Sequence, residues 1–122
     1  IVRAENRVIS GEYGLWGGMA AARELMNSGV SFTGVVCGED ITAIGVMKEL
    51  KNLGVRIPEQ VVVTGCNNSP ECLICEPELT TLDNKPEILG GLCAQLLQEV
   101  LDGKTSVSSL AIQPELVPRG SA

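Results

Sequence analysis

Apolar and polar positions along this chain fall into two rhythms. From Gly18 to Ser28 the spacing is helical: Met19, Ala22, Leu25 and Met26 share a face, and Gly29 supplies the stop. A second helical stripe, Ala43, Val46, Met47, Leu50 and Leu53, is closed by Gly54, and Asp40 is placed to cap it. A third follows Pro86, with Leu89, Leu92, Leu96 and Val100 ending at Gly103. Between the stripes lie short apolar runs. Arg7 to Ser10 reads as a first strand, and Phe32 to Cys37 as a second strand buried on both faces. Val61 to Gly65 follows Pro58 as a third, Leu79 to Leu82 is a fourth extended segment, and Leu110 to Val117 is extended again.

Strand and helix alternate through the first three units, which predicts an α/β fold: a Rossmann-like parallel sheet with helices on both faces. In such sheets ligands bind beyond the carboxyl ends of the strands. Three pairs of polar or aromatic residues fall there: Glu12 and Tyr13, Glu39 and Asp40, Asn67 and Asn68. Polar groups fix a small polar ligand and a ring stacks on it. Each residue also has a plainer reading. Tyr13 can be a loop aromatic, Trp16 can compete with it or cap the helix, Asp40 can be a helix cap, and Asn67–Asn68 can serve left-handed turn geometry.

Composition narrows the chemistry. The chain has 122 residues, room for one domain, with 44% hydrophobic, 20% charged and only 2% aromatic residues, so aliphatic side chains build the core. A net charge of −6 argues against this segment binding nucleic acid itself and favours a neutral or cationic small ligand or a protein partner. No apolar run is long enough to span a bilayer, so no membrane is expected. The opening residues read as the middle of a domain, consistent with an excised segment or a removed leader. Five cysteines and no histidine point to reduced thiols in the cytoplasm. Cys37, Cys66 and Cys93 sit in apolar runs, and Cys72-Leu-Ile-Cys75 lacks the second ligand pair a zinc site needs. Packing or interface thiols are expected, with no metal and no cofactor. Gly17-Gly18 lacks the G-x-G-x-x-G pattern and reads as a flexible lead into a helix. Glu39 and Asp40 have no accompanying nucleophile, so no enzyme is expected.

Several stretches carry a family resemblance. Glu39-Asp40-Ile41-Thr42-Ala43-Ile44-Gly45 stands where one family shows Asn-Asp-x-Met-Ala-x-Gly, and Gly54-Val55-Arg56-Ile57-Pro58-Glu59 where it shows Gly-Leu-x-Val-Pro-x-Asp. Gly65-Cys66-Asn67-Asn68 stands for Gly-Phe-Asp-Asp, Pro77 to Pro86 for Pro-x-Leu-Thr-Thr-Val, and "PELVPRGSA" for the closing strand. Jointly these resemble the effector-binding domain of the lactose-repressor/galactose-repressor (LacI/GalR) family of transcription regulators. Leu116 to Ser121 also matches a thrombin cleavage string; the family match favours native sequence.

The resemblance implies a periplasmic-binding-protein-like type I fold, with an effector between two subdomains. Residues 1–80 and 108–122 would belong to the second subdomain and 83–103 to a helix of the first. Most of the first subdomain and the DNA-binding region would lie elsewhere. It implies Tyr13, Glu39 and Asn67 as ligand contacts, with Trp16, Asp40 and Asn68 as further candidates. Glu39 replaces an Asn and Asn67 an Asp, which changes the balance of donors and acceptors. A homodimer is implied through Ile44, Met47, Lys48, Lys51, Cys72, Ile74 and Cys75. The expected function is sensing a sugar or related polar metabolite for a cytoplasmic repressor, whose operator DNA is met by a region outside this chain. The alternative is an extracytoplasmic sugar-binding protein of a transporter.

Overall fold

A computed structural model describes Ile9, residues 11–104 and residues 109–122. Four strands form one sheet in the order β1 (Gly34–Val36), β2 (Val62–Cys66), β3 (Thr80–Asp83) and β4 (Glu115–Val117). β1 and β3 run parallel to β2, and β4 runs antiparallel to β3. The expected α/β class is the one observed, but the sheet is mixed, because the closing strand returns along β3. Helix α1 (Gly14–Asn27) precedes β1 and α2 (Asp40–Asn52) joins β1 to β2. A single 3-10 turn, Pro70–Leu73, lies between β2 and β3, and α3 (Pro86–Leu101) joins β3 to β4. The strand expected at Arg7 to Ser10 lies, apart from Ile9, outside the described residues.

The stripe on α2 forms the centre of the core: Ala43, Val46, Met47 and Leu50 are all buried, together with Ala22, Val61, Val63 and Leu79, whereas Leu53, expected in the same stripe, is exposed at the end of the helix. The helix stops as its sequence indicated. Gly54 takes a left-handed φ of 82°, which lets its N–H reach the Lys51 carbonyl while Val55 N–H reaches Leu50. Along β2 and the residue before it, Val61, Val63 and Gly65 are buried while Val62 is exposed and Thr64 and Cys66 are half-buried. One face of the strand is therefore covered and the other partly open, rather than both being covered.

Two local expectations change. α1 begins at Gly14, not Gly18, and Gly17–Gly18 is a buried part of the helix rather than a flexible lead. The reason is tertiary: a Cβ on Gly18 would lie 2.1 Å from the Thr42 carbonyl oxygen, so only glycine lets α1 approach α2. β1 is shorter than expected and Val36 is 87% exposed; a cavity of about 610 Å3 runs beside it, lined by Ile9, Leu25, Phe32, Val35, Cys37 and Val46. The stripe on α3 lies outside this core. None of its residues is buried, Cys93 included, and no other described element packs substantially against it.

The last residues are woven into the sheet. Ser121 is fully buried, its Oγ donates to the Val63 carbonyl at 2.6 Å and accepts from Thr80 N–H at 2.9 Å. No described helix is long and apolar enough to cross a membrane.

Candidate functional site

The site is assembled where β1 and β2 end. Glu39 holds the extended position just before α2, and its Oε1 accepts hydrogen bonds from Gly14 N–H at 2.7 Å and from the Thr42 hydroxyl at 2.6 Å. A carboxylate from the loop after β1 thus satisfies an orphan amide in the first turn of α1, where negative charge is favourable. Tyr13 immediately precedes that amide and is 81% exposed. Both bonds fall on Oε1, which leaves Oε2 of Glu39 to accept from another donor.

Asn67 and Asn68 both adopt positive φ, 105° and 53°, which asparagine tolerates better than most residues. The turn reading is thereby met at both positions, and their side chains diverge. Asn67 is exposed; its N–H reaches the Leu82 carbonyl at 2.8 Å and its Oδ1 accepts from Asn84 Nδ2 at 2.9 Å. With Oδ1 occupied, Asn67 presents its amide N–H groups outward. Asn84, which the sequence did not single out, also places Nδ2 at 3.1 Å from Cys66 Sγ. Asn68 turns inward instead: its Oδ1 accepts from Arg119 Nη2 at 2.7 Å and its Nδ2 donates to Asp83 Oδ2 at 3.3 Å.

Asp40 does not cap α2, because Glu39 holds that position. Asp40 is 2% exposed, and its carboxylate accepts from Ser69 N–H and from the Thr81 hydroxyl. Successive residues at a helix start point about 100° apart, so one carboxylate faces the mouth of the sheet and its neighbour the interior. Trp16 is 76% exposed and lies along a separate shallow groove with Gly11, Glu12, Ala20 and Glu24. The structure therefore brings Tyr13, Glu39 and Asn67 to one end of the sheet, and sends Asp40 and Asn68 inward.

Three of the thiols, Cys37, Cys72 and Cys75, are poorly suited to nucleophilic or metal chemistry. Burial pushes Cys37 up to about 11, and Cys72 up to about 11 with help from the nearby Asp40 carboxylate; burial raises Cys75 as well. Among the described residues no three His, Cys, Asp or Glu groups gather as a metal site.

The residues expected at a pairing surface divide. Ile44, Met47, Lys48, Lys51 and Cys75 line a groove of about 350 Å3 together with Asn52 and Glu76, closed at one side by Lys51 Nζ donating to the Glu76 carbonyl. Ile74 is 84% exposed. Cys72 is the correction: it is fully buried, because the 3-10 turn folds it under β3, where its carbonyl accepts from Leu79 N–H. Leu73, 56% exposed, takes its place in the patch.

The periplasmic binding protein-like domain family matches residues 2–122. The chain belongs to that family. Its relatives are regulators: the HTH-type transcriptional regulator MalR of Streptomyces coelicolor is 36% identical over 89% of this chain and 31% of its own length. The HTH-type transcriptional repressor PurR of Photorhabdus laumondii is 30% identical over 96% of this chain and 35% of its own. Among solved structures, a sugar-binding transcriptional regulator of the LacI family from Escherichia coli, complexed with phosphate, superposes with a TM-score of 0.84 and 27% identity. It is covered over 44% of its length by 100% of this chain. The periplasmic binding protein-like chain described here thus spans about a third of the curated relatives it matches. It corresponds to part of the effector-binding domain of LacI-type transcription regulators, as its motifs indicated.

Proposed function

We propose that this chain is the effector-sensing and pairing part of a LacI-type transcriptional repressor, with a sugar or related polar metabolite held against the carboxyl ends of β1 and β2. What supports this reading is that three groups sit at the same end of the sheet: Glu39 is bonded to Gly14 beside the exposed ring of Tyr13, and Asn67 is braced by Asn84. Glu39 Oε2 is an acceptor and Asn67 Nδ2 a donor, and the hydroxyls of a polyol satisfy both. The acidic chain suits a neutral effector, and DNA would be met by an HTH region outside it. The site performs binding rather than catalysis, in the cytoplasm. The regulators among the curated relatives favour this reading over a transporter's sugar-binding protein. Residues 1–80 and 108–122 form the second subdomain on this reading, and 83–103 carries α3 to the first; the absence of any buried residue on α3 supports that division.

Asn67→Ala in the full-length repressor is expected to leave the fold intact and to weaken the effector response by roughly ten- to a hundredfold, since losing one such hydrogen-bonding group costs about 1–3 kcal/mol. The check is operator release titrated with the saccharide that gives the largest response in a panel of mono- and disaccharides. An unchanged midpoint removes Asn67 from the site.

The pairing surface is proposed as the groove on α2 together with Leu73 and Ile74. A stable two-fold contact there would bury on the order of 1,200–2,000 Å2. Ile74→Asp places charges at that contact and is expected to shift the full-length protein toward monomer in light scattering. A dissociation constant equal to the wild type's moves the interface elsewhere.

A further inference from the structure

No other described element packs substantially against α3, so the turn from which it starts bears on its direction from the sheet. That turn, Leu82 to Lys85, is cross-braced to the loop after β2 in three places. Asn67 N–H bonds the Leu82 carbonyl, Asn84 Nδ2 bonds Asn67 Oδ1 at 2.9 Å, and Asn68 Nδ2 bonds Asp83 Oδ2 at 3.3 Å. The other oxygen of Asp83 accepts from Lys85 N–H at 2.7 Å, and Lys85, at a left-handed φ of 52°, is the residue from which α3 starts. Asn68 is itself anchored. Arg119 donates Nη2 to Asn68 Oδ1 and Nη1 to the Leu79 carbonyl, both at 2.7 Å, and its own N–H reaches Thr80 Oγ1.

We propose that Asn68 is a positioning residue: held by Arg119 on one side, it clamps Asp83 on the other and so fixes the turn from which α3 leaves the sheet. Its neighbour Asn67 faces the candidate effector site, so the same two-residue loop meets the effector and sets the exit of α3. A displacement of that loop is then passed to whatever α3 carries. This last consequence rests on the proposed function; the clamp itself does not.

The geometry separates the clamp from a mere turn role. A residue needed only for its left-handed backbone is replaceable by glycine. One needed only to accept from Arg119 is replaceable by aspartate. A residue that donates to Asp83 is replaceable by neither. The test is amide exchange and residual dipolar couplings on the 122-residue chain, for wild type, Asn68→Gly and Asn68→Asp. In wild type, α3 amides should fit the same alignment as those of α2 and β2. In both variants Lys85 N–H should exchange on the order of tenfold faster and α3 should depart from that alignment. The Val63 amide, bonded to Ser121, should keep its wild-type rate and certify the fold. If either folded variant keeps wild-type Lys85 exchange and α3 alignment, or if wild-type α3 does not share the alignment of the sheet, the clamp is overturned. No effector enters these measurements. An effector reading that fails at Asn67→Ala leaves their outcome standing, and the reverse holds as well.

Discussion

Gly45→Ala is expected to cost this chain most of its stability. A Cβ at Gly45 would lie 2.2 Å from the Leu15 carbonyl oxygen and 3.2 Å from Gly18 Cα, so the obstacle is backbone, which has no rotamer to turn away. Gly18 faces the same limit from the other helix, 2.1 Å from the Thr42 oxygen. The two helices therefore have to separate, and α2 carries the centre of the core with it. Alanine improves intrinsic helix propensity by about 1 kcal/mol over glycine, whereas overpacking costs about 1–3 kcal/mol and sometimes more. With rigid backbone as the neighbour the loss belongs at or beyond that upper end, and it wins. Gly91→Ala on α3 is the control: nothing lies within 4 Å of its Cβ, so propensity alone acts and the variant should be slightly more stable. Urea unfolding followed by circular dichroism compares the pair. Similar midpoints for the two variants would mean that α1 and α2 are not in the close contact described.

Asp40→Ala is the second large effect. Removing the carboxylate orphans Ser69 N–H and the buried Thr81 hydroxyl, at about 1–3 kcal/mol for each buried group left without a partner. About 3 kcal/mol in total is expected, well above the roughly 1 kcal/mol typical of a lost helix cap. Asp40→Asn should cost less, because the Thr81 hydroxyl can rotate to accept from the new amide. The pair is also expected to be coupled. Thr81→Val removes one of the orphaned groups, so the double variant Asp40→Ala/Thr81→Val should be more stable than the sum of the single losses by about 0.5–3 kcal/mol. Strict additivity in the same urea series would show that the two side chains do not share a bond.

These two sites also show what was and was not legible in the sequence. The stripe on α2 could be read from spacing, because helix periodicity is local, and Ala43, Val46, Met47 and Leu50 all proved buried. On α3 the same periodicity, in Leu89, Leu92, Leu96 and Val100, finds no core among the described residues: it says which side chains face together, not what they face. Glycine at positions 18 and 45 answers to a neighbour more than twenty residues away in sequence, so nothing local announced it. The placement of Tyr13, Glu39 and Asn67 at one sheet end followed from strand–helix alternation. Which carboxylate of the Glu39–Asp40 pair turns inward depends on where α2 begins, and that boundary fell one residue from the one expected. Asn84 and Arg119 were missed for a similar reason: their partners lie 17 and 51 residues away.

The closing strand has one practical consequence. Leu116 to Ser121 spells a string that thrombin cuts after arginine. A trypsin-like protease needs that arginine extended into its own specificity pocket and the flanking backbone laid out straight. In the folded chain the guanidinium is committed to Leu79 and Asn68, and Ser121 is locked beneath the sheet. Susceptibility to this protease and integrity of the sheet edge are therefore opposite states of the same few bonds, and a thrombin step used to trim a fusion partner would clip Gly120 to Ala122 from the unfolded molecules and spare the native ones.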